Sequence, residues 1–165
     1  MTYAGLRTHD ALLSGIAGAA ALTAVHQAAR IITDSAPRMD VVGMRAIVRG
    51  KEAAGTSSVA DSTGSERENP VLYNMALAGD LVVNSAYYSL ATTWPRGAAL
   101  GLLAGIGALT LPKKMGLGDP PKSDLLSNQV MTVAWYVVGG LAAAWTAQCL
   151  ATRRAEKFRE LAGGY

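Results

Sequence analysis

The 28 residues at positions 125–152 contain no Asp, Glu, Lys or Arg. A helix needs roughly 17–25 mostly apolar residues to cross the hydrocarbon core of a bilayer. Residues 11–29 and 97–112 are also free of charged side chains. The first of these runs is long enough to span a bilayer, and the second is slightly too short. Such runs predict long apolar helices and indicate an integral membrane protein.

The composition of the whole chain agrees with this interpretation. Of its 165 residues, 50% are hydrophobic and only 16% are charged, whereas a soluble domain usually carries about 25% charged residues. The alternative is a soluble, alanine-rich helical bundle, because the mean hydropathy of +0.21 is modest. A charge-free run of this length is difficult to bury in a small soluble core, so we prefer the membrane interpretation.

We therefore predict one all-α membrane domain over residues 1–165, without internal repeats. Its four transmembrane helices cover approximately residues 11–32, 70–92, 97–112 and 128–151. Asn69-Pro70 is a favourable start for the second span, since Asn is a good N-cap and Pro suits the first helical position. A cleaved signal peptide is an alternative for the first span, but its flanking region is barely basic and no convincing cleavage site follows.

An amphipathic segment lies between the first two spans, over residues 38–52. At helical spacing, one of its faces carries Val41, Met44 and Val48. The opposite face is charged: Arg38, Arg45, Arg49 and Glu52. This pattern predicts a helix that either lies in the membrane interface or packs on other protein. The polar residues 53–69 read as a flexible linker. The distribution of basic residues does not fix the orientation in the membrane.

Asp80 lies near the middle of the second predicted span. A central Asp costs roughly 2.5–3.5 kcal/mol on the insertion scale, whereas each Leu or Val contributes only about 0.3–0.6 kcal/mol. Such a helix is stable in a membrane only if its polar face meets protein or water. That face is predicted to carry Tyr73, Asp80, Asn84 and Tyr87.

Polar residues on two other spans fall at a similar depth. Counted from the shared boundary at about 1.5 Å per residue, His26, Asp80 and Tyr136 lie about 10, 15 and 12 Å deep. We therefore predict that Asp80 hydrogen-bonds His26 or Tyr136, with Arg30 as the remaining candidate partner. The candidate binding, proton or ion site comprises His26, Arg30, Asp80, Asn84, Tyr87 and Tyr136. The structural alternative is that these groups only hold the helices together.

Small residues predict where helices approach closely. Gly97, Gly101 and Gly105 repeat at intervals of four, and Gly140 shares a face with Tyr136. Small residues at such spacing allow close backbone contact in membranes. We expect these glycines to pack against a neighbouring helix, either within the chain or between chains.

No catalytic signature is present, and we lean against an enzyme. GxSxG, HExxH and phosphate-loop motifs are absent. Zinc catalysis needs three protein ligands, and haem held between two histidines needs a second buried His. We therefore expect no catalytic residue, metal or cofactor. The single Cys149 rules out an internal disulfide, and no basic stripe indicates nucleic acid.

Two classes of function remain. In the first, a small multi-pass membrane protein binds or conducts a cation, a proton, a polar lipid or another small polar molecule. In the second, the chain is a structural or assembly subunit of a membrane complex. The expected partners are the lipid bilayer, such a ligand, and a second copy or complex subunit. The expected location is a membrane, which would be the plasma or inner membrane in a bacterium.

Overall fold

The computed structural model describes residues 8–56 and 69–163, and all regular structure in those ranges is helical. This confirms the all-α class. Most of the predicted linker, residues 57–68, lies outside the described residues. The helices are α1 (Thr8–Ile32), α2 (Met39–Ala53), α3 (Pro70–Tyr88), α4 (Trp94–Lys114) and α5 (Leu126–Ala162).

The four longer helices run alternately up and down. α1 packs against both α3 and α5, and α4 packs on α5. The Gln27 amide near the end of α1 donates to the Tyr73 hydroxyl near the start of α3. Asp10 near the start of α1 forms an ion pair with Arg154 in the last third of α5. These contacts join opposite helix ends, so α1 is antiparallel to both α3 and α5.

Local sequence explains several helix ends. The Asn69 side chain accepts a hydrogen bond from the Leu72 backbone N–H, and Pro70 occupies the first turn of α3, as predicted. α4 begins at Trp94, earlier than predicted, with Pro95 in its first turn. α5 continues well beyond the predicted end at residue 151. Its charged tail is rich in good helix formers, Ala, Arg, Glu and Lys, so leaving the apolar region does not end the helix.

The glycines of α4 face α5 at very short range. A methyl group added at Gly101 would lie 2.7 Å from the Tyr136 carbonyl oxygen, and one at Gly105 would lie 2.7 Å from the Val133 Cα. One added at Gly97 would lie 2.9 Å from the Ala144 Cβ. The glycine spacing therefore corresponds to a helix contact within the chain.

α2 buries its apolar face against α3. Val41 and Met44 are only 2% and 1% exposed, and they pack with Leu72 and Ala76. Of the two alternatives for this helix, the structure thus supplies a protein contact for its apolar side chains.

The basic residues of α2 hold the loop between α4 and α5. Arg45 donates to the carbonyls of Leu117 and Asp119, at 3.1 and 3.2 Å. Arg49 donates to the Gly116 carbonyl at 3.0 Å. Gly116 has a φ of +73°, a conformation that favours glycine. A charged face on α2 suggests side chains that lie in water. These two arginines bind the backbone of the chain instead.

Two of the described helices, α1 and α5, are long and apolar enough to cross a membrane. α3 and α4 do not meet the same criterion within the described part of the chain, so the four predicted spans are not confirmed. The coarser conclusion is an all-helical protein with two helices suited to a membrane.

Candidate polar binding site

A cavity of about 210 Å³ lies between α1, α2, α3 and α5. α2 contributes one of its walls, and apolar side chains such as Val42, Ala76 and Leu77 form part of the lining. Its polar and ionisable lining residues come from all four helices: Thr23, His26, Gln27, Arg30, Asp40, Asp80 and Tyr136. Four of the six residues predicted for the site thus border one cavity.

Asp80 finds its hydrogen-bond partner on its own helix. Its Oδ1 accepts from Asn84 Nδ2 at 2.8 Å. In residues 8–56 and 69–163, neither His26 nor Tyr136 forms a hydrogen bond with Asp80, so the predicted bond between helices is wrong for this structure. His26, Asp80 and Tyr136, which the count of residues along the helices placed at similar heights, do line one cavity. That count does not show that a side chain four residues away reaches the carboxylate more easily.

His26 is held by aromatic rings. It meets the Trp135 ring edge-to-face, with centroids 4.6 Å apart, and the Tyr136 ring at 6.1 Å. Its Nε2 atom is inaccessible to solvent and has no hydrogen-bond partner among the described residues. Trp135 was not singled out from the sequence, although its position next to Tyr136 on a predicted span was a usable signal. The packing fixes the orientation of the imidazole beside the cavity.

Arg30 joins α1 to the start of both α2 and α3. Its Nη1 donates to the Tyr73 hydroxyl at 3.2 Å and to Gln27 Oε1 at 3.5 Å. The guanidinium also lies 5.6 Å from the centre of the Tyr73 ring, within the range of a cation–π contact. Asp40 Oδ2 is 3.6 Å away.

Asp40 is neutralised by two arginines. Arg38 donates hydrogen bonds to both oxygens of its carboxylate, with Nε–Oδ1 and Nη2–Oδ2 distances of 2.8 and 2.6 Å. Burial by itself would raise the pKa of Asp40, but the hydrogen bonds and charge of Arg38, with the charge of Arg30, outweigh it and hold the pKa below its usual value. The sequence predicts Arg38 on a charged face and does not indicate Asp40 as its partner.

Tyr87 and Asn84 lie outside the cavity lining. The Tyr87 hydroxyl donates to the Leu100 carbonyl at 2.9 Å and so joins α3 to α4. Asn84 is buried and reaches the site only through Asp80. The neighbouring Tyr88, fully buried, donates to the Tyr136 carbonyl at 2.7 Å. Tyr87 therefore ties helices together in this structure.

The charges around the cavity are unevenly compensated. Asp40 has two arginine partners, whereas no Arg, Lys or His forms an ion pair with Asp80 in the described ranges. Asp80 is half-buried and borders the cavity. A carboxylate in such surroundings favours the approach of a proton or a cation.

No group of three or more His, Cys, Asp or Glu side chains that could hold a metal ion occurs among the described residues. The chain matches no protein-family model, no curated protein and no solved structure.

Proposed function

We propose that this chain is a multi-pass membrane protein that binds a small cationic species, or a proton, in the cavity between α1, α2, α3 and α5. The observation that carries the proposal is Asp80, a cavity-lining carboxylate without a basic partner among the described residues. Ionisable groups at membrane depth usually mark a binding site or an ion or proton pathway.

The exterior of the bundle supports a membrane environment. Large apolar side chains are exposed on every one of the four long helices; examples are Ile16 on α1, Val82 on α3, Leu103 on α4 and Val130 on α5. Only 28% of the most apolar stretch of α1 is buried inside the protein, whereas the core helix of a soluble protein is mostly buried. Apolar exposure on this scale is typical of a surface that meets lipid or a partner.

The cavity has the parts that cation binding needs. Asn84 donates to one carboxylate oxygen of Asp80 and leaves lone pairs on both oxygens for a ligand. Tyr136 and His26 also line this cavity, and the ring of a tyrosine can attract a cation. Arg30 binds Tyr73, Gln27 and Asp40, and it forms no ion pair with Asp80 among the described residues. A volume of about 210 Å³ suits a small ligand.

Flux and binding measurements test this function. Purified protein in liposomes should conduct protons or small cations, or bind a small organic cation in detergent, and Asp80→Asn should abolish the effect. Asp34→Asn is the matched control, because Asp34 is exposed in the turn after α1. Equal activity in the wild type and Asp80→Asn would overturn the proposal.

The number of spans can be decided at Arg96, near the start of α4. With four spans, a Cys at position 96 labels from the same side of the membrane as one at Ala155. With two spans, α1 and α5, it labels from the side of Asp119. All three residues are exposed, and the single native Cys149 is first replaced by Ser. Labelling of position 96 together with position 119 would exclude the four-span arrangement.

A structural or assembly role is the second candidate, and the Asp80–Asn84 bond favours it. A carboxylate that is already bonded within its helix serves to keep a polar face away from lipid without binding a ligand. Native mass spectrometry of the detergent-solubilised protein separates the two. A bound small molecule that Asp80→Asn removes supports ligand binding, whereas stoichiometric co-purification of a membrane partner supports assembly.

A further inference from the structure

A second cavity, of about 400 Å³, lies where the beginning of α1 meets the tail of α5. It is at the opposite end of the bundle from α2 and the polar cavity. Its lining combines basic and apolar side chains with a single carboxylate: His9, Asp10, Leu150, Arg153, Arg154, Lys157, Phe158 and Leu161.

Positive charge is in excess in this cavity. Asp10 forms an ion pair with Arg154 and lies 2.8 Å from His9 Nε2. Arg153 and Lys157 are exposed and form no ion pair within the described part of the chain. Since Asp10 is the one lining carboxylate and is already paired, these two cations are available to an anion.

The position of the cavity along α5 suits a membrane surface. The charge-free run ends at Thr152, and Arg153 follows directly. The helix has 37 residues and is therefore about 55 Å long, well beyond a hydrocarbon core of about 30 Å. Arg153 and Lys157 therefore fall at the depth of the headgroups, if the charge-free run spans the core.

Apolar side chains continue beside these cations. Phe158 and Leu161 are 58% and 65% exposed, and both line the cavity with the half-buried Leu150. Leu150 lies on the membrane side of the two cations, and Phe158 and Leu161 lie on the water side. A free inorganic anion gains nothing from such walls, whereas a phospholipid can bury acyl carbons against Leu150 and headgroup carbons against Phe158 and Leu161. The combination selects a ligand with both a phosphate and a hydrocarbon chain.

We propose that this cavity binds an anionic phospholipid, with its phosphate on Arg153 and Lys157, an acyl chain leaving along Leu150 toward the hydrocarbon core, and headgroup carbons against Phe158 and Leu161. Cations next to a span attract anionic lipid, and a cavity adds a defined place for one molecule. This proposal rests on the membrane location proposed above and is independent of the Asp80 cavity.

Titration of the detergent-solubilised protein with short-chain phosphatidylglycerol and phosphatidylcholine tests it, with native mass spectrometry to count bound lipid. The wild type should bind phosphatidylglycerol more tightly than phosphatidylcholine. Arg153→Gln with Lys157→Gln should weaken phosphatidylglycerol binding about tenfold or more, because it removes both cations that contact the phosphate. Phosphatidylcholine binding should change much less.

The matched control is Lys114→Gln with Arg159→Gln. It removes the same charge from exposed positions that do not line the cavity, so its affinity should remain that of the wild type. An equal loss in both double variants would mean general electrostatic attraction and would overturn the site. Equal competition by inorganic phosphate alone would show a free-anion site and overturn the lipid. Neither result depends on Asp80, so the proposed cation function stands or fails separately.

Discussion

Asn84 lies one helical turn after Asp80 on α3 and donates its side-chain Nδ2 to the Asp80 carboxylate over 2.8 Å. Asn84 is buried, whereas Asp80 is half-buried and borders the cavity. The pair therefore joins a buried amide inside the bundle to a carboxylate at the cavity wall. It also fixes the carboxylate beside the cavity.

Replacement of Asn84 by Leu is expected to lower the thermal stability of the protein in detergent. It removes the one hydrogen bond that Asp80 accepts within the described residues, and a buried polar group without its partner costs about 1–3 kcal/mol. Asn74→Leu is the control, because Asn74 is exposed on the same helix. In an Asp80→Ala background, Asn84→Leu should cost much less. An unchanged cost there would mean that the hydrogen bond is not what stabilises the protein.

Gly101→Ala is expected to destabilise the contact between α4 and α5. The new methyl group would lie 2.7 Å from the Tyr136 carbonyl oxygen and 2.9 Å from the Val137 nitrogen, both of which are backbone atoms that cannot rotate away. Overpacking of this kind typically costs about 1–3 kcal/mol.

Gly107 on the same helix provides the control for Gly101. An added methyl group there meets only the Leu111 side chain, at 3.4 Å. Gly107→Ala should therefore leave the melting temperature unchanged or raise it, because Ala favours a helix over Gly by roughly 0.5–1 kcal/mol. Similar melting temperatures for the two variants would contradict the close packing of α4 on α5.

The sequence predicted elements and faces better than partners. Periodicity and charge-free runs located the helices, and small-residue spacing located the contact at Gly97, Gly101 and Gly105, because both follow from the geometry of a single helix. The partner predicted for Asp80 is wrong, and the partner of Asp40 was not predicted. A helical wheel shows which way a side chain points and not which group it contacts. The predicted end of α5 is too early, because the end of the apolar run does not end the helix.

Asp40 is expected to make stability depend on pH at the acid end. Its pKa is held below the usual value of about 4, so its ionised form is stabilised by folding. This contribution is complete above the unfolded-state pKa, and it is lost as the pH falls through the lower folded-state pKa. Asp40→Asn should lower the melting temperature at pH 7 and flatten its decline below about pH 4. The exposed Asp34→Asn serves as control, and an identical acid profile for Asp40→Asn and the wild type would contradict the role of the Arg38 pair.

Arg45 and Arg49 are expected to hold α2, and with it one wall of the polar cavity, against the loop between α4 and α5. Together they donate to the carbonyls of Leu117, Asp119 and Gly116 at 3.0–3.2 Å. Hydrogen bonds from a charged donor contribute about 1.5–3 kcal/mol each when buried and less when exposed. The double variant Arg45→Gln with Arg49→Gln should therefore speed amide hydrogen exchange of Met39–Ala53 about tenfold, because local opening of α2 becomes less costly. Exchange in α4 and α5 should change little.

Lys113→Gln is the matched control, since Lys113 reaches the same loop, among the described residues, through an exposed ion pair with Asp119 at 3.2 Å, which contributes little. If α2 exchanges as slowly in the double variant as in the control, its contact with α3 is sufficient, and the arginines do not hold this wall of the cavity.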